Sequence, residues 1–194
     1  YDLHTHTTYS HGKGSVEDNV RMAFDKGLKY IAISDHGPGH LFYGVNRNEF
    51  VNMRNDIERM NVKYPKMHVK MSVEAIKIKG GNGLDIRPEE FEELDFVIAG
   101  YHYGLFGCDC MRNWMWNKGF RAGEESLRRS NTEMVIKALR QNDISILTHP
   151  GDKGPFDIKA IAEVCAETDT LMEIYTWHGH MTKEEIEIAA QAEG

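Results

Sequence analysis

The chain has 194 residues, 41% of them hydrophobic and 27% charged, which is enough apolar content for one domain with a substantial core. A formal net charge of -7 argues against a broad nucleic-acid footprint, which needs a basic face, and three cysteines are too few for a disulfide scaffold. No run approaches the ~18 uninterrupted apolar residues of a membrane span, no signal-peptide pattern opens the chain, and the cysteine usage fits a reducing, cytoplasmic setting.

The chain starts at Tyr1 inside a strand pattern and without a methionine, which suggests a trimmed version of a longer sequence. Residues 1–5 read as a first strand carrying His4 and leading into His6. Ser15-Val16-Glu17-Asp18 has the form of a capping box. Val20, Ala23 and Phe24 then supply a helical stripe, and Gly27 a stop. Residues 30–33 read as a buried strand delivering Asp35 and His36. Phe50, Met53, Ile57, Met60 and Tyr64 recur at spacings of three and four, an amphipathic helix ended by Pro65.

Residues 69–73 read as a strand leading into Glu74, and 96–99 as one leading into His102. A helix over 132–140 precedes a strand over 144–147, which ends at His149-Pro150-Gly151. Between them, segment 105–129 is long for a connection. It contains Trp114, Met115 and Trp116 and reads as a lid that could set specificity. Ile158, Ile161, Ala162 and Cys165 mark a helix capped by Asp157. Residues 171–174 form a sixth strand, and Thr182-Lys183-Glu184-Glu185 is a second capping box opening a helix to Gly194.

Alternating strands and helices imply βαβ units and a mainly parallel sheet. Histidines and Glu74 fall at or just after the strand ends in five consecutive units, where barrels of this class carry their sites. His4 and His6 are two apart, so on a strand both rings take one face, and Asp2 could orient one of them. Taken singly, each histidine reads first as a hydrogen-bonded structural residue, and Glu74 as a buried carboxylate needing a partner or an exposed strand end. The combination reads as a multinuclear metal site, because imidazole and carboxylate suit zinc, manganese and iron. His68 reads as structural or solvent-facing. His40 reads first as a surface loop residue, with a place beside the ligands or the substrate as the alternative. Cys108-Asp109-Cys110 reads as inert rather than chelating.

Asp2-Leu3-His4-Thr5-His6, His11, Ser34-Asp35-His36-Gly37, Glu74 with the turn at Gly81 to Asp85, His102 and His149-Pro150 together resemble the polymerase-and-histidinol-phosphatase (PHP) family of metal-dependent phosphoesterases. The resemblance runs from the first residues to about position 150, in the family's order and strand context. It implies a distorted (β/α)7 barrel holding three metal ions, zinc, manganese or iron. By analogy, His4, His6 and Glu74 hold the first ion and His11 and His36 the second. Glu74, His102 and His149 hold the third, so Glu74 bridges. The family closes its site with an Asp-x-His motif on the last strand, and this chain lacks one. His178-Gly179-His180, the only late His-x-His, reads as a loop near the site. A chain that stops before its last strand explains the departure.

The implied reaction is hydrolysis of a small phosphate monoester, as in histidinol phosphatases, by metal-activated water, with a small phosphorylated metabolite as partner. Arg47, Lys77, Arg112 and Arg121 are candidates for gripping the phosphate. A 3′-end nuclease activity of the kind that accompanies polymerases, an amidohydrolase, and a non-catalytic metal-stabilised binding domain are the alternatives.

Overall fold

The structure is a computed structural model that describes residues 1–76, 83–102, 109–174 and 181–192. Two units emerge, one formed by Tyr1–Ala75 with Ile86–Val97, the other by Ile76–Asp85 with Ile98–Gly194. Lys77, Gly81, Cys108, His178 and His180 lie outside the described residues.

In the first unit the strands are β1 (Asp2–Thr5), β2 (Tyr30–His36) and β3 (His68–Ile76), and the helices are α1 (Val16–Asp25) and α2 (Phe50–Lys63). All strand pairings are parallel: Asp2 lies opposite Ile31, and β2 meets β3 in unbroken register from Tyr30 opposite His68 to His36 opposite Glu74. Ile31, Ala32 and Ile33 are consecutive and all buried, and on β3 Val69, Met71 and Val73 are buried at alternate positions. A parallel strand covered on both faces reads as such a continuous apolar run. Both strands run further than expected, so Asp35, His36 and Glu74 sit within strands rather than after them.

The helices follow their sequence signals. Ser15 Oγ accepts the Asp18 N–H at 3.2 Å and Asp18 Oδ2 accepts the Ser15 N–H at 3.0 Å, a complete capping box. At the other end Gly27 takes φ +75°, with Leu28 N–H donating to Ala23 O and Gly27 N–H to Phe24 O, a Schellman stop. Phe50, Met53, Ile57 and Met60 of α2 are all buried. After Pro65 the Asn61 amide captures both backbone groups of Val69 at 2.9 Å, which fixes where β3 begins. Asp95 holds the 88–95 segment against the same strand, accepting from Met71 N–H at 2.7 Å, Arg54 at 3.0 Å and Lys70 at 3.1 Å. Burial alone would raise its carboxyl, but these donors together bring it below the ordinary carboxylate value.

In the second unit β4 (Ile98–Gly100), β5 (Ile146–Leu147) and β6 (Leu171–Met172) pair in parallel, Ile98 opposite Ile146 and Leu147 opposite Met172. Its helices are α3 (Cys110–Asn117), α4 (Glu124–Gln141), α5 (Ile158–Glu167) and α6 (Lys183–Ala192). Asp157 caps α5 through the Ala160 N–H at 3.1 Å, and Thr182 and Glu185 exchange both capping-box bonds at the start of α6.

The segment expected to form a long lid over 105–129 instead contains α3 and the beginning of α4. Only Asn113 of α3 is buried, so the apolar residues of the helix do not mark the face that packs. Its amide pairs reciprocally with that of Asn131 on α4, at 3.0 and 2.8 Å, and Asn131 also donates to Pro155 O at 3.0 Å. Trp114 and Met115 are on the exposed side. Among the described residues no helix is long and apolar enough to cross a membrane.

Candidate metal centre

The first unit brings five of the expected ligands together. Glu74 is fully buried at 0% exposure, and three imidazoles meet its Oε2: His36 Nδ1 at 2.9 Å, His4 Nε2 at 3.4 Å and His6 Nε2 at 3.6 Å. The rings form one cluster. His6 lies 5.1 Å from His4, 4.7 Å from His11 and 4.5 Å from His36 between centroids, and His11 lies 4.7 Å from His36. Ligand atoms of His4, His6 and Glu74, and again of His6, His11 and His36, fall within 4.8 Å of one another.

Burial, with the neighbouring imidazoles of His36, His4 and His11, drives the His6 pKa down to about 2, and the opposing attraction of Glu74 does not offset it. His11 is lowered too, first by burial and then by His36. These rings are therefore neutral at pH 7. A neutral imidazole offers one lone pair, and several converging on a buried carboxylate form a set that a cation between them would satisfy. His6 Nδ1 is also buried without a hydrogen-bond partner among the described residues. This is the donor set and protonation state that divalent zinc, manganese or iron requires.

The loop from β1 to α1 is folded by a carboxylate. Asp35, fully buried beside His36, accepts the Thr7 N–H at 2.7 Å, the Thr7 hydroxyl at 2.6 Å and the Ser10 hydroxyl. Thr7 O in turn accepts from Ser10 and Gly12 N–H, and a Cβ on Gly12 would overlap the His6 carbonyl. The turn that presents His11 thus closes only with glycine at 12. Asp2 accepts the His4 backbone N–H at 3.3 Å.

His40 is half-buried, its ring 4.9 Å from His36, so the surface reading is corrected. Its Nδ1 accepts the Phe42 and Tyr43 N–H groups at 3.3 and 3.2 Å. His68 is exposed and stacks on Tyr30 at 4.5 Å, as a structural residue would.

In the second unit His102 follows β4 and its ring lies 5.0 Å from that of His149, at 88°. His149 adopts φ +29°, sparsely populated for a non-glycine residue, and its N–H donates to Glu173 Oε2 at 2.9 Å. Glu173 escaped the sequence reading, although a carboxylate at the end of a strand beside a ligand-bearing strand was visible.

Of the cations considered for phosphate, Arg47 pairs with Glu90, Arg112 with Asp109 at 3.2 Å, and Arg121 with Glu124 at 3.4 Å while lying 4.3 Å over Trp116.

Comparison with known proteins identifies the family. A family model described as PHP domain matches residues 2–182. A probable phosphatase of Shewanella loihica is 32% identical over 181 residues, and the probable phosphatase YcdX of Escherichia coli 29% over 180. Each alignment covers 89% of this chain, which spans 62% of those relatives' length. The crystal structure of histidinol phosphate phosphatase from Lactococcus lactis, complexed with zinc, L-histidinol and phosphate, matches with a TM-score of 0.62 at 14% identity. That match covers 100% of this chain and 81% of the other. The likeness shows the fold, an α/β arrangement of the partial-barrel type expected above. With parallel strands, buried carboxylate and converging imidazoles in place, the chain belongs to the PHP domain family.

Proposed function

We propose that the protein is a metal-dependent phosphoesterase that hydrolyses a small phosphate monoester. The observation that carries this reading is the approach of His4, His6 and His36 to the buried Glu74 carboxylate, with His11 stacked against the cluster. His4, His6 and Glu74 would hold one ion and His11 and His36 a second. His102 and His149 of the second unit would supply imidazoles for a third. Divalent cations so held supply Lewis acidity toward a phosphoryl group and a nucleophile from water at neutral pH.

The chain's own residues do the rest. Burial keeps His6 neutral, so its lone pair stays available for coordination. Asp35 fixes the turn that presents His11, and Glu173 fixes the backbone of His149. Preorganised ligands of this kind avoid reorganisation during reaction. The relatives named probable phosphatases and the histidinol phosphate phosphatase fold support phosphate monoesters over other esters. Histidinol phosphate is one candidate among small phosphorylated metabolites. The family match across both units supports reading residues 1–194 as one catalytic domain, and a cytoplasmic setting belongs to the same proposal.

The test is phosphate release by the full-length protein with measured metal content, compared with Glu74→Ala and His36→Ala. Turnover should fall more than about 100-fold in both while circular dichroism shows a retained fold. Unchanged turnover in folded variants would remove these residues from the site. Release of ammonia in place of phosphate would move the protein to an amidohydrolase reaction.

A further inference from the structure

Three consecutive apolar side chains stand exposed next to the metal-ligand cluster: Leu41 at 50%, Phe42 at 77% and Tyr43 at 49%. Isolated exposed apolar residues need no explanation, but a contiguous trio beside a candidate active site does. The loop that carries them is built rather than slack. His40 N–H donates to Gly37 O at 3.2 Å, Gly44 N–H to His40 O at 3.1 Å and Val45 N–H to His36 O at 2.9 Å. The His40 ring ties Phe42 and Tyr43 from inside through its Nδ1. A Cβ on Gly44 would come within 2.6 Å of Gly37 O, so the loop closes onto its own base only because that position has none.

The rings of this loop continue those of the metal ligands. His36 and His40 are 4.9 Å apart at 26°, His40 and Tyr43 5.1 Å, and Tyr43 and Phe42 6.3 Å. Tyr43 also lies 5.3 Å from His11. These separations are those of interacting aromatic pairs. A phosphoryl group placed at cations on His11 and His36 would therefore leave its alcohol portion beside Tyr43 and Phe42. Three side chains are far smaller than the roughly 800 Å² that each partner gives to a protein interface, so the patch fits a small ligand rather than a protein.

We infer that the 40–44 loop is a leaving-group subsite selecting phosphate monoesters whose alcohol carries a planar aromatic ring. The inference rests on the phosphoesterase reading for the position of the phosphate. A flat ring gains stacking and loses little hydration here, whereas a polyol would leave hydroxyls against apolar faces without partners. The loop is held before binding, so little ordering of its backbone opposes the gain.

The test uses the metal-loaded full-length protein and two phosphonates that cannot be hydrolysed, benzylphosphonate and methylphosphonate, in calorimetric titrations. It adds turnover of benzyl phosphate and glycerol 2-phosphate. Benzylphosphonate should bind about 10-fold tighter than methylphosphonate, and Phe42→Ala and Tyr43→Ala should each cut that ratio about threefold. Val62→Ala, an exposed apolar position on α2, serves as the control and should leave the ratio intact. Equal affinities, no binding of either phosphonate, or a ratio that survives the Phe42→Ala/Tyr43→Ala double variant with full metal content would overturn the subsite. A ring preference in binding with neither phosphate turned over would uphold the subsite and count against the hydrolase. Turnover of both with equal kcat/KM and equal phosphonate affinities would do the reverse.

Discussion

Acid should destabilise the metal-free protein through His6, and the size of the effect follows from the site. In the folded state burial holds the His6 pKa at about 2, whereas an unfolded chain titrates near the ordinary value of 6.5. Between those values the unfolded chain binds a proton that the folded one refuses, so stability rises with pH and is lost as pH falls below 6.5. Each pH unit in that window costs about 1.4 kcal/mol, so a shift from about pH 6.5 to pH 5 removes about 2 kcal/mol. The side chain is 20% exposed, little enough for solvent screening not to erase the effect. His11 is lowered for the same reason and adds in the same direction. Asp95 does not interfere: its carboxyl is lowered, so its contribution persists above the carboxylate range and goes only at lower pH. Urea denaturation of metal-stripped wild type and His6→Asn, at several pH values from 7 to 5, reads the difference. The wild type should lose about 2 kcal/mol more than the variant over this range. Parallel pH profiles, within about 0.5 kcal/mol, would refute the argument that the buried imidazole excludes a proton.

Asp35→Ala should lower unfolding free energy by about 3 kcal/mol, because it strands the Thr7 N–H and two hydroxyls at a buried position. Thermal melts check this, and a loss below about 1 kcal/mol would mean that the turn holds without its carboxylate. Glu173→Ala should weaken metal binding at His149 by about 10- to 100-fold in competition titrations with a chelating dye. Glu173→Gln, which still accepts the His149 N–H, should keep most of it, and equal affinity in both variants would show that the bond does not position His149.

How much of this could be read beforehand depends on what holds each part. His4, His6, His11, His36 and Glu74 were visible because apolar runs locate strand ends, and parallel β/α folds put chemistry there. The α2 stripe and the caps at Ser15, Asp157 and Thr182 were visible because helix termini and apolar periodicity are local. Helix α3 was missed because its one buried anchor is polar, and no periodicity marks an asparagine that finds its partner 18 residues on. The fate of Arg47 was hidden for a related reason, since Glu90 lies 43 residues on. Arg112 and Arg121 instead meet carboxylates only three residues away, pairs that the spacing of Asp109 and Glu124 could have shown. His40 entered the ring cluster through a turn whose closure rests on Gly44, a feature of backbone approach rather than of composition.

The paired amides of Asn113 and Asn131 bear on how tightly the second unit is specified. Oil-like contact between two cylinders tolerates rotation and sliding, since one methyl can stand in for another. Two amides that donate to and accept from each other are both satisfied at a single height and a single angular setting. A helix whose one buried side chain is an amide is thereby given one address, and any misdocked arrangement would strand four hydrogen-bonding groups away from water.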